Sequence, residues 1–151
     1  MMKKYYLINR AVYWLLQFSW GILQNLVGLC IFLALLAARP RAERFLFHGA
    51  IVTHWGRRGS MGCGLFIFYG HYTAPEPIAS SVLVHEFGHT IQSMLLGPFF
   101  LPIIGLPSLI WATADYYEKL RRRQHRSYYD LYCEAGANRL GERVSHERAP
   151  R

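Results

Sequence analysis

Residues 11–38 form one long run of 28 positions without a charged side chain. About 20 apolar residues suffice to cross a bilayer as a helix, so the run predicts one N-terminal transmembrane helix. Tyr13, Trp14 and Trp20 stand toward its start, where an interfacial aromatic belt belongs, and Arg39, Pro40 and Arg41 close it. A cleaved signal peptide competes with this reading, because Ala34, Ala37 and Ala38 offer small residues for cleavage. Signal cores, however, run only about 7–15 residues, which favours an uncleaved anchor. Beyond it, residues 45–55 and 65–69 are rich in β-branched and aromatic types, with turn-forming residues at 56–62. That pattern predicts a β-hairpin or two short strands, followed by a loop over 73–77. A helix is expected over 80–96, capped by Ser80 or Ser81 and stopped by Gly97 and Pro98. Residues 98–114 are uncharged again, but Pro98, Pro102, Gly105 and Pro107 argue against one straight helix. Pro107 suits the first turn of a helix reaching about residue 123. A last helix fits residues 128–140, with Gly141 as its stop and a frayed polar tail after it. The whole predicts an α+β fold, with a membrane anchor over 1–40 and a small domain over 41–151.

Composition sharpens the membrane reading. Hydrophobic residues make up 52% of the chain and charged ones 17%, below the roughly 25% of soluble domains. Lys and Arg number 17 against 9 acidic residues, a net charge of +8. The positive charge gathers beside the apolar stretches and at Lys119, Arg121, Arg122, Arg123 and Arg126. Anionic lipid head groups attract such clusters, so membrane lipid is the expected partner and nucleic acid is not. Basic residues flank the span on both sides, and the excess beyond it leans toward a cytoplasmic domain. The three cysteines, Cys30, Cys63 and Cys133, suggest neither a disulfide framework nor a Cys-x-x-Cys site.

The chemistry lies in His85-Glu86-Phe87-Gly88-His89. Helical residues four apart share a face, so both imidazoles can reach one ion. Neutral imidazole suits Zn²⁺, and Glu86 stands to one side, able to take a proton from water held at the ion. The chain's composition would produce this pattern by chance about 0.015 times. On a helical projection Ser81, His85, Glu86, His89, Gln92 and Ser93 fall within an arc of about 140°. Leu83, Val84, Phe87, Ile91, Met94 and Leu95 fall opposite them.

A third protein ligand is required. Glu134, in Glu134-Ala135-Gly136-Ala137-Asn138, is the best candidate, with Asp130 and His125 next. Its small neighbours would let this helix approach the first closely, and Asn138, one turn on, could hydrogen-bond a ligand. The two strings together resemble the zincin metallopeptidases of the glutamate-ligand, or gluzincin-like, branch. There a later helix carries Glu-x-x-Ala-Asp/Asn. The stretch through Leu109 is also similar to that of small bacterial membrane metallopeptidases. The resemblance covers roughly residues 80–141. It implies a zinc protease acting on peptide or protein substrates, with a strand edge that binds extended chain; residues 65–69 are the candidate edge. It also implies an oxyanion-stabilising residue, for which His125, Tyr128 and Tyr129 are candidates.

One constraint follows. Were residues 98–114 to cross a bilayer, the histidines and Glu134 would lie on opposite sides. The expectation is therefore a re-entrant or interfacial segment. Two alternatives stand beside the hydrolase. One is a non-catalytic membrane protein with a structural metal or a lipid- or partner-binding role. The other is an intramembrane metalloprotease, although the Leu-Asp-Gly string of site-2-type enzymes is absent.

Overall fold

The computed structural model describes residues 9–70 and 76–151. Part of the loop expected over 73–77 lies outside them. The fold is α+β, with helices around a small mixed sheet of four strands, β1 (Arg44–Phe47), β2 (Ala50–His54), β3 (Met61–Cys63) and β4 (Phe66–Tyr69). Their spatial order is β1-β2-β4-β3. β1 pairs antiparallel with β2 through a two-residue turn at His48 and Gly49, both of positive φ. Such turns match the twist of paired strands. A second two-residue turn, at Gly64 and Leu65, joins β3 antiparallel to β4. β2 and β4 run parallel. The expected hairpin is thus two hairpins laid side by side. Residues 65–69 do not form an edge: β4 has partners on both flanks, and the edge strands are β1 and β3.

The charge-free run is not one helix. It forms α1 (Arg10–Phe18) and α2 (Ile22–Ala38), bent by 93° at the break. Among the described residues no single helix is long and apolar enough to cross a membrane. Three amides hold the bent pair in place. Asn25 donates to the backbone oxygens of Gln17 and Gly21, and its own oxygen accepts from the Leu65 amide at 2.6 Å. Gln17 donates to the Thr90 carbonyl at 2.8 Å, and Gln24 donates to the Ser93 hydroxyl at 2.8 Å. All three are buried, where an unpaired polar group is costly, and each amide nitrogen donates a hydrogen bond. They fasten both helices to the domain.

Helix α3 (Glu76–Leu96) begins four residues before the expected start. Its apolar side, Leu83, Phe87, Ile91 and Met94, joins Val52, Ile67 and Tyr13 in the main core. Pairs in register share a sheet face, so Val52, Gly62 and Ile67 look toward α3 while Phe66 and Phe68 look the other way. There α2 covers them, with the Phe32 and Phe66 rings 5.5 Å apart.

The chain then makes a 3₁₀ turn (Gly97–Phe99), a π-helical turn (Leu101–Gly105) and helix α4 (Leu106–Thr113). Phe100 and Ile104 pack on Cys133, so this segment folds back onto the last helix. The helix expected from Pro107 to residue 123 is interrupted at Ala114, whose backbone is extended, and resumes as α5 (Asp115–Gln124). After a 3₁₀ turn (Tyr128–Asp130) comes α6 (Tyr132–Ser145). Gly141 does not stop it. A Cβ there would lie 2.1 Å from the Val84 carbonyl, so the glycine serves close packing on α3. The tail is not frayed: Ala149 is buried, and its amide donates to Glu142 at 3.0 Å.

Candidate metal centre

The contact of α3 with α6 builds the site. Gly88 faces the backbone of Ala137, where a Cβ would fall 1.9 Å from the carbonyl oxygen. Only a glycine lets the two backbones come this near. The polar arc of α3 is therefore not a solvated face. His85, Glu86, His89, Gln92 and Ser93 are all buried, as is Glu134 opposite them. The His85 Nε2 lies 3.0 Å from Glu134 Oε2, and His89 Nε2 lies 3.3 Å from the same oxygen. These three residues form a buried group able to hold a metal ion. Tetrahedral ligands about 2.0–2.1 Å from Zn²⁺ stand about 3.3 Å apart, so the spacing fits.

The far sides of the two imidazoles decide which nitrogen is left for an ion. His85 Nδ1 is 2.7 Å from Asn138 Oδ1, and His89 Nδ1 is 2.8 Å from Gln92 Oε1. The amide ends are pinned: Gln92 Nε2 donates to the Cys133 carbonyl at 2.8 Å, and Asn138 Nδ2 donates to the Pro150 carbonyl at 2.7 Å. Each Nδ1 thus meets an acceptor and carries the proton. In neutral rings both Nε2 lone pairs then point at a carboxylate. Three electron-pair donors converge on one small space. A cation satisfies them.

Burial would raise the Glu134 carboxyl, but hydrogen bonds from the Nε2 side of His85 and His89 when these rings are charged, with Ser108, outweigh it and hold it well below the usual carboxylate range; beside neutral rings a cation takes that place. Cys133 Sγ approaches its other oxygen at 3.5 Å. Glu86 behaves oppositely. Burial, with the nearby Glu134 charge, pushes its carboxyl up to about 7 against the opposing effects of His85 and a backbone hydrogen bond from Gly62 of β3. Two acids a few residues from the same imidazoles therefore differ in kind, one a fixed anion and the other poised to exchange a proton.

The other candidates lie apart. Asp130 is exposed and accepts from the Ser127 amide at 2.9 Å. His125 is exposed, at the left-handed end of α5. Neither joins the group. Tyr129 sets its ring edge-to-face with His85 at 5.1 Å. Burial and the negative charges of Glu134 and Glu86 push the Tyr128 phenol far above its ordinary value, so it remains protonated, hydrogen-bonded to Ser108. Sequence reasoning missed Ser108 and the role of Gln92. The latter was legible in principle, since it stands three residues after His89 on the same helical face. Ser108 gave no local signal.

Replacing Asn138 by Ala removes the acceptor that fixes the His85 tautomer. Affinity for a divalent metal ion, measured by competition with a chromogenic chelator, should fall about 10–100-fold with the helical content unchanged.

Comparison with protein-family models, with curated proteins and with solved structures returned no match.

Proposed function

We propose that the chain is a zinc-dependent hydrolase of peptide bonds. His85, His89 and Glu134 hold the ion, and Glu86 is the general base. The observation that supports this most is the convergence of two Nε2 atoms and one carboxylate oxygen beside a second carboxyl that is not part of the group. Two imidazoles with one carboxylate suit Zn²⁺ and leave a coordination position for the reaction. Zinc there supplies Lewis acidity toward water and a peptide carbonyl. Glu86, its carboxyl near 7, accepts the proton of the attacking water and can return it to the leaving amine. The amide of Gly62 holds Glu86 in place from β3. That strand is the sheet's edge beside the site, which suits an extended peptide laid along it.

Burial of all three ligands favours a second reading, in which the metal is structural. Metal analysis with a cleavage assay separates the two. A hydrolase carries about one zinc per chain, cleaves an unstructured protein such as casein, stops on treatment with a chelator and recovers when zinc is restored. Stoichiometric zinc without cleavage would leave the structural metal standing and remove the hydrolase.

A further inference from the structure

Much apolar surface lies outside the metal site. Among the described residues twelve large apolar side chains between Val12 and Leu36, and six more between Leu95 and Ile110, are each more than a third exposed. Isolated exposed apolar residues are ordinary, but a soluble monomer seldom gathers this many. The two sets meet. Trp20, at the bend between α1 and α2, covers Gly97, whose φ is +53° and where a Cβ would lie 2.4 Å from the indole. Gln24 donates to the Gly97 carbonyl at 3.1 Å. The end of α3, with Leu95 and Phe99, is thereby joined to the corner formed by α1 and α2. A shallow groove between Trp14 and Leu46 carries the apolar surface on to the first hairpin.

Basic residues follow both apolar segments. Arg39, Arg41 and Arg44 close α2, and Arg44 is anchored by the carbonyls of Arg39, Pro40 and Ala42. After α4 come Arg121, Arg122, Arg123 and Arg126, with Arg121 stacked over Trp111 at 4.7 Å. An apolar face bordered by arginines is complementary to acyl chains below anionic head groups.

The depth is limited. Helix α2 has 17 residues, about 25 Å, short of the roughly 30 Å hydrocarbon core. Straightening the 93° bend to lengthen it would break the hydrogen bonds of Gln17, Gln24 and Asn25. Residues 98–114 are held to the helix that carries Glu134, since Phe100 and Ile104 pack on Cys133 and the Tyr132 hydroxyl donates to the Ile103 carbonyl. We propose that the chain is monotopic. Its α1–α2 corner and residues 95–110 enter one leaflet of an anionic bilayer from the same side, and neither stretch crosses it. This does not depend on the hydrolase reading.

The test uses the full chain. On vesicles of phosphatidylcholine and phosphatidylglycerol in equal parts it should float, and about tenfold less of it should float on phosphatidylcholine alone. Cys30 is exposed while Cys63 and Cys133 are buried, so one fluorophore can be placed on α2. It should be quenched by nitroxides on the acyl chains of bound vesicles. Leu26→Glu with Leu33→Glu, at positions 51% and 52% exposed, should keep the fold and its zinc content while abolishing flotation. Epitope tags before Met1 and after Arg151 should face the same compartment in expressing cells. Tags on opposite sides, flotation indifferent to lipid charge, or a soluble dimer that ignores vesicles would each overturn the proposal.

Discussion

Glu86→Gln protein is expected to keep its zinc and to lose peptide cleavage by about 10²–10⁴-fold, the range that general-base catalysis supplies. Glutamine has the same shape and can still accept the Gly62 amide through its remaining oxygen, so the packing between β3 and α3 survives. It cannot take a proton. Glu86 is not among the three ligands, so the metal group is untouched. The readouts are zinc per chain and the single-turnover rate on a saturating peptide. Retention of wild-type rate with full zinc would show that Glu86 is not the base. Loss of zinc together with rate would mean that Glu86 serves the metal rather than the water.

Glu134→Ala is expected to lower zinc affinity by well over 100-fold, beyond the 10–100-fold typical of outer partners such as Asn138. It removes the one oxygen that both imidazoles face, at 3.0 and 3.3 Å. Asp130→Ala and His125→Ala are the controls, and both should bind zinc as the wild type does. Each is exposed and outside the group. Thermal stability gives an independent readout. A ligand that binds only the folded state raises the melting temperature by mass action. Added zinc should therefore raise Tm for the wild type and both controls, and leave Glu134→Ala unmoved. A zinc response in Glu134→Ala equal to that of the controls would exclude Glu134 as a ligand.

The histidine pair of the candidate metal group was legible because it needs only periodicity. Four residues make one turn, and His85 and His89 follow directly. Glu134 was legible through its small neighbours: Ala137 meets Gly88 and Gly136 lies against the Gln92 amide, while Gly141 adds a further close contact at Val84. The apolar run misled for a physical reason. Charge counting sees that Gln17, Gln24 and Asn25 are neutral and passes over them, yet buried amides demand partners, and here they find them across the bend and on α3. Gly141 misled in the same way. A glycine after a periodic stretch signals a stop only when its backbone must turn left-handed, and here it is needed for space. The order of the strands could not be read at all, because a parallel pairing of β2 with β4 depends on contacts between hairpins rather than within them.

The three amides at the bend also bear on how this protein can be handled. A soluble fragment starting near residue 41, the usual remedy for a chain with an apolar leader, would uncover Phe66, take away the acceptor of the Leu65 amide and remove the side-chain donors that reach the Thr90 and Ser93 carbonyls. The leader is a wall of the building it was expected merely to moor, and preparations will need every residue of that wall in place.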